Sequence, residues 1–175
     1  MAVFFFLIQG VTGSLLAFNY APTPGEAYNS VRYILTELTG GRLIRGLHHW
    51  GASMMIVVVV LHMTQVFLYG AYKKPRETTW MLGVILLLIT LGFGLTGYLL
   101  PWDNRAYWGT VVTTQIAAGT PIVGPYLVRL LGGKGVGVVT FARFYAAHVV
   151  LLPPLTLILV GIHVYLVRKH GVAAT

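Results

Sequence analysis

The sequence predicts an all-α membrane protein built from four transmembrane helices. Of its 175 residues, 57% are hydrophobic and only 9% are charged. A soluble domain carries about 25% charged residues, so this composition is typical of an integral membrane protein. At about 20 residues per span, the chain has room for four or five helices and their loops.

Four apolar stretches give the predicted spans in order. The first is apolar from its start, the second has about 24 uncharged residues after Arg45, and Pro153–Pro154 should kink the fourth. We expect one short interfacial helix after the first span and two in the long connection before the fourth. The predicted ranges are 1–20, 43–72, 78–100 and 144–167 for the spans, and 26–39 and 103–142 for the interfacial helices.

The basic residues indicate how the spans are oriented. The formal net charge of +8 is typical of cytoplasmic loops and anionic ligands, and we expect no nucleic-acid partner. Short basic segments, with Lys73, Lys74 and Arg76 in one and Arg168 and Lys169 in the other, follow the second and fourth spans. Because such segments stay in the cytoplasm, these two spans should run parallel. The absence of cysteine excludes disulfides and covalent haem attachment through this chain.

Two histidines lie at matching depths in each of the two parallel spans. His48 and His62 are 14 residues apart, which places them within about 40° on one helix face and about 21 Å apart along the axis. His148 and His163 are 15 residues apart, or about 60° and about 22 Å. Side by side, the spans would pair His48 with His148 near the outer face and His62 with His163 nearer the inner face. We therefore predict two non-covalent b-type haems with two histidine ligands each, forming an electron path.

Nearby arginines and glycines fit this prediction but also have ordinary explanations. Arg45 and Arg143 precede the outer histidines and are candidates to bind haem propionates, although arginines also anchor helix ends in headgroups. Gly83 and Gly97 have the same spacing as the histidines of the second span. Glycine permits close approach of a flat macrocycle, although small residues also serve helix packing. A single intramembrane histidine can simply hydrogen-bond a neighbouring helix, but two matched pairs favour ligation.

Six segments resemble the N-terminal, four-helix haem-binding part of the cytochrome b family. They are IRGLHHWGASMM, LHMTQVF, YKKPRETTW, GLTGYLLPWDNRAYW, ARFYAAH and IHVYLVRKHG, and together they extend over nearly the whole chain. The histidine spacing of the fourth span, the KKPRE loop and the RKHG ending look closer to the short, split cytochrome b6 type than to the mitochondrial type. The resemblance therefore implies a single b6-like transmembrane domain over residues 1–175.

The resemblance also implies a role as one subunit of a quinol:cytochrome c or quinol:plastocyanin oxidoreductase, incomplete as an enzyme on its own. The 103–142 connection resembles a loop of the quinol oxidation pocket. The matched positions are four haem-ligating histidines, two propionate-binding arginines and three haem-packing glycines. These are His48 and His148 for the low-potential outer haem, His62 and His163 for the high-potential inner haem, Arg45 and Arg143, and Gly13, Gly83 and Gly97.

Family members work as dimers with a Rieske iron–sulfur protein and a c-type cytochrome. A C-terminal cytochrome b portion, often a separate protein like subunit IV, completes the quinol site. We expect these partners here, with quinone or quinol as substrate. The short loops and basic tail fit a bacterial plasma membrane, with a thylakoid membrane as the alternative.

The chain departs from the family pattern at three points. Gln65 stands where many relatives have an arginine, no cysteine is present for an extra covalent haem, and the Pro-Glu-Trp-Tyr motif is absent. We expect that cysteine in a segment before residue 1 and that motif in the portion that follows this chain.

Two other functions stay open at this point. One is a dihaem membrane anchor of another oxidoreductase, such as a formate dehydrogenase or a hydrogenase. The other is a metal-ion transporter whose histidines line a path. A transporter predicts carboxylates inside the spans, and the four predicted spans contain none.

Overall fold

The computed structural model describes residues 1–133 and 135–171, and within these ranges it contains helices and no strand. One six-residue segment, Ala146–Leu151, is a π-helix, which we call the π segment. The helices are α1 (Ala2–Ala17), α2 (Ala27–Thr36), α3 (Gly41–Leu68), α4 (Glu77–Leu99), α5 (Asn104–Ala118), α6 (Gly124–Leu131), α7 (Val138–Tyr145), the π segment (Ala146–Leu151) and α8 (Leu152–His170).

Three helical stretches of the described chain are long and apolar enough to cross a membrane. They are α3, α4 and the continuous run Val138–His170 that joins α7, the π segment and α8. The predicted first span forms α1, which is apolar but only 16 residues long. Its rise of about 24 Å is shorter than the hydrocarbon core of about 30 Å. The all-α membrane class is confirmed, and α1 is shorter than the predicted span 1–20.

The long helices expose apolar side chains rather than burying them in a protein core. Leu61 and Phe67 on α3, Leu88 on α4, and Leu157 and Ile158 on α8 are all exposed. Helices that are apolar all round belong in lipid, where tail contacts replace a soluble core. α1 packs along α3, and α4 packs against both α3 and the α7–α8 run.

A small buried cluster closes one end of the bundle. Its members are Ala27 of α2, Leu99 of α4, and Phe141 and Phe144 of α7. Beside it, the hydroxyl of Tyr20 donates a hydrogen bond of 2.6 Å to the carbonyl of Leu100. This cluster fixes the end of α4 against α7, immediately before the π segment.

The connections match the predicted interfacial helices. α2 lies within the predicted range 26–39, and α5 and α6 lie in the long connection before the fourth span. Asp103 caps α5 by accepting a hydrogen bond of 2.8 Å from the backbone N–H of Ala106. In the basic loop after α3, Nε of Arg76 donates to the carbonyl of Gly171 at 3.0 Å. The two basic segments therefore lie at the same end of the bundle, as predicted.

Candidate cofactor site between the helices

The outer histidine pair is brought together as predicted. His48 lies on α3 and His148 lies in the π segment, with ring centres 6.3 Å apart and ring planes at 77°. Two imidazoles that bind one metal from opposite sides, each at about 2 Å as in zinc sites, have ring centres about 6 Å apart. This pair therefore has the separation of two axial ligands of one metal atom.

Two threonines hold the rings of the outer pair. Oγ1 of Thr12 on α1 lies 3.0 Å from Nδ1 of His48, and Oγ1 of Thr96 on α4 lies 3.0 Å from Nδ1 of His148. Neither threonine is among the site residues predicted from the sequence. A signal was available, because each threonine directly precedes one of the predicted glycines, Gly13 or Gly97.

Glycines let α1 and α4 approach the same two rings. A Cβ at Gly13 would lie 3.0 Å from Cε1 of His48, and a Cβ at Gly97 would lie 2.6 Å from Cε1 of His148. The second distance is too short for any residue other than glycine without movement of the ring. The structure therefore places both predicted glycines at the outer histidines.

The inner pair has fewer polar contacts. His62 lies on α3 and His163 on α8, and no ring contact joins them among the described residues. A Cβ at Gly83 would lie 3.5 Å from Cε1 of His163 and 3.6 Å from Sδ of Met63, which are ordinary contact distances. Nδ1 of His163 is buried, and no side chain of the described residues hydrogen-bonds it, whereas the backbone of Thr79 interacts with the ring. His62 is exposed, whereas the other three histidines are partly buried.

The π segment explains how the wider histidine spacing of the fourth span matches the narrower spacing of its neighbours. Gly97 and Gly83 of the regular helix α4 face His148 and His163, respectively. A π-helical turn contains about one residue more than an α-helical turn. The π segment therefore accommodates the one residue by which the interval between His148 and His163 exceeds that between the two glycines. The prolines at 153 and 154 follow after Leu152 and lack the N–H groups that an α-helix requires. The π segment thus stands just before the prolines for which a local kink is predicted, and it offsets the larger angular separation calculated for a regular helix.

The two predicted arginines occupy different environments. Arg45 is partly buried on α3, one turn before His48. Arg143 on α7 is exposed, and its Nη1 donates to the carbonyls of Arg129 and Leu130 at the end of α6. The structure therefore shows Arg143 linking α7 to α6, a contact that the sequence did not indicate. Gln65 is exposed on α3.

These residues fit a haem better than a metal ion held by protein alone. No group of three or more His, Cys, Asp or Glu side chains able to hold a metal ion occurs in residues 1–133 and 135–171. Two imidazoles hold a metal firmly only where further ligands come from elsewhere, as from the four nitrogens of a haem. The glycines facing the rings leave room for a flat macrocycle.

Comparison with known proteins decides the family. The family model described as cytochrome b/b6/petB matches residues 1–171. The chain belongs to this cytochrome b family. It is 47% identical to cytochrome b6 of Stigeoclonium helveticum and 46% identical to cytochrome b6 of Gloeobacter violaceus. Each alignment covers 169 residues, which are 96% of this chain and 79% of the relative.

A solved structure described as a hyperthermophilic respiratory Complex III is also similar. It superimposes with a TM-score of 0.90 and 37% identity, over 98% of this chain. The chain spans only 46% of that structure's chain, less than half its length. Together these likenesses confirm an integral membrane protein of the cytochrome b family, which binds b-type haem and serves electron transport. The alternatives of a metal transporter and of an anchor from another oxidoreductase family are therefore set aside.

Gly97→Ala tests the close approach of α4 to His148. We expect bound b-type haem per chain to fall by about half, because the added methyl displaces a ring on which one of two predicted haems depends. A pyridine haemochrome assay on the purified protein measures this. Gly161→Ala is the control, since its Cβ would meet nothing within 4 Å. Equal haem content in the two variants would contradict the close approach.

Deletion of Val150 tests the π insertion. Without this residue the segment can continue as an α-helix, and the two histidines of the fourth span take the same spacing as those of α3. We expect the haem content to stay at the wild-type level. Deletion of Val58, which lies between the histidines of the regular helix α3, should instead rotate them by about 100° relative to each other and lower haem content. Equal losses in both deletions would show that the π segment absorbs no residue.

Proposed function

We propose that the chain is the dihaem cytochrome b subunit of a quinol:cytochrome c or quinol:plastocyanin oxidoreductase. In this role it carries electrons across the membrane from the site of quinol oxidation to a site of quinone reduction. The observation that supports it best is the matched spacing of glycines on α4 and histidines on the neighbouring helices. α4 presents a glycine to one histidine of each pair, at the same interval that separates the two histidines of α3.

In this proposal His48 and His148 hold the outer haem, and His62 and His163 hold the inner haem. A haem with two histidine ligands supplies one-electron redox chemistry and has no open axial position for oxygen. The chain's own contribution is to fix the imidazoles and to keep the site dry among apolar helices. Because the two histidines of α3 are about 21 Å apart along the axis, the pairs lie at different membrane depths.

Positive charge and small residues complete the proposed sites. Arg45 lies one turn before His48 and can bind a propionate carboxylate in bidentate fashion. Nη1 of Arg143 donates hydrogen bonds to the carbonyls at the end of α6. A guanidinium has five N–H donors, so Arg143 keeps others for the second propionate. Gly13, Gly83 and Gly97 give each macrocycle its packing surface.

The rest of the complex belongs to the same proposal. The partners are a C-terminal cytochrome b portion or a subunit IV-like protein, a Rieske iron–sulfur protein and a c-type cytochrome, within a homodimeric complex. This chain supplies the electron path, and the catalytic quinol site is completed by the partner portion. The 103–142 connection, with α5 and α6, would form one wall of that site. The proposed location is a bacterial plasma membrane, with a thylakoid membrane as the alternative.

Single histidine replacements test the ligand assignment. His62→Ala should leave one b-type haem per chain instead of two, because the inner iron loses an axial ligand. His49→Ala is the matched control, since that residue is exposed on α3 beside Trp50 and should keep both haems. A pyridine haemochrome assay on the purified complex gives both numbers. Two intact haems in His62→Ala would overturn the assignment.

A further inference from the structure

The two histidine pairs differ in what their Nδ1 atoms contact. In the outer pair, each Nδ1 lies 3.0 Å from a threonine hydroxyl, contributed by Thr12 for His48 and Thr96 for His148. In the inner pair, no hydroxyl of the described residues hydrogen-bonds Nδ1 of His163, and the ring interacts with the backbone of Thr79 instead. The residue of α4 that precedes Gly83, as Thr96 precedes Gly97, is Leu82, whose side chain cannot accept a hydrogen bond.

The direction of the outer hydrogen bonds follows from where the hydroxyl protons go. Oγ1 of Thr12 donates to the carbonyl of Ile8 at 2.6 Å, and Oγ1 of Thr96 donates to the carbonyl of Gly92 at 2.7 Å. A hydroxyl has one proton, so each oxygen is left to accept from its histidine. Nδ1 of both rings therefore carries the proton, and Nε2 presents its lone pair to a metal.

We propose that Thr12 and Thr96 are positioning residues that orient the outer axial histidines and lower the reduction potential of the outer haem relative to the inner one. The proposal rests on the proposed function, because it takes the four histidines as haem ligands. A hydrogen bond donated by Nδ1–H makes the imidazole a stronger electron donor, which favours the oxidised metal. No hydroxyl of the described residues hydrogen-bonds Nδ1 of His163, whose ring interacts with the backbone of Thr79 instead. A lower potential at the outer site favours electron flow from the outer to the inner site.

A redox titration of the purified complex tests this proposal. We expect Thr12→Val/Thr96→Val to shift the outer-haem equilibrium about tenfold toward the reduced form, the scale of other substitutions beside metal ligands. A tenfold change corresponds to about 59 mV for a one-electron couple. Each single substitution should produce part of this shift. The inner haem should not move, and the wave that survives in His62→Ala identifies the outer haem.

Matched variants separate the hydrogen bond from general packing. Thr12→Ser/Thr96→Ser keeps both hydroxyls and should restore the wild-type potential. Thr90→Val is the control on α4, because Oγ1 of Thr90 donates to the carbonyl of Leu86 in the same way but contacts no histidine. This control should leave both potentials unchanged.

The possible outcomes distinguish the proposal from the function on which it rests. Two haems with unchanged potentials in the valine double variant would overturn the proposal and leave the dihaem function standing. Loss of the outer haem in the valine variant, with retention in the serine and Thr90→Val variants, would support the positioning role. The same shift in Thr90→Val would overturn it. A single haem in the wild-type complex would overturn the proposed function, and this inference with it.

Discussion

The separation of the imidazole rings across the bundle is the constraint on which the rest of the structure depends. His48 and His148 come from helices that are distant in sequence, and their ring centres lie 6.3 Å apart. To keep that distance, α1 and α4 must come close to the rings, and Gly13 and Gly97 allow this. The threonine before each glycine then satisfies the buried ring nitrogen, which would otherwise cost free energy in an apolar surrounding.

The same constraint sets the register along the whole bundle. The two histidines of the regular helix α3 and the two glycines of the regular helix α4 are separated by the same number of residues. The two histidines of the fourth span are one residue further apart. The π segment reconciles these intervals at the outer histidine itself. It lies between the cluster around Phe141 and Phe144 and the two prolines that begin α8. Local backbone geometry in one span thus allows both histidine pairs to form.

Much of this arrangement could be predicted from the sequence. Long uncharged stretches predicted the membrane class, and helical periodicity predicted which histidines meet, because depth and face follow directly from residue spacing. The paired basic segments predicted the shared orientation of α3 and α8, and the contact between Arg76 and Gly171 agrees with it.

Other features of the structure depend on contacts that residue spacing does not encode. A π segment precedes the two prolines, α1 is shorter than its apolar stretch, and Arg143 bonds carbonyls of α6. The contacts of Thr12 and Thr96 with the histidines were not predicted, because a threonine in an apolar helix normally hydrogen-bonds the backbone of its own helix. Both do so here, at Ile8 and Gly92, and the lone pairs that remain reach the histidines.

The most direct test of the central claim is the number of b-type haems per chain in the purified wild-type complex. A pyridine haemochrome assay, combined with a reduced-minus-oxidised spectrum and protein quantification, gives this number. We predict two haems per chain, because we assign two separate histidine pairs as ligands. One haem per chain would contradict this prediction, and would point to the inner site, where His62 is exposed and no hydroxyl of the described residues hydrogen-bonds Nδ1 of His163.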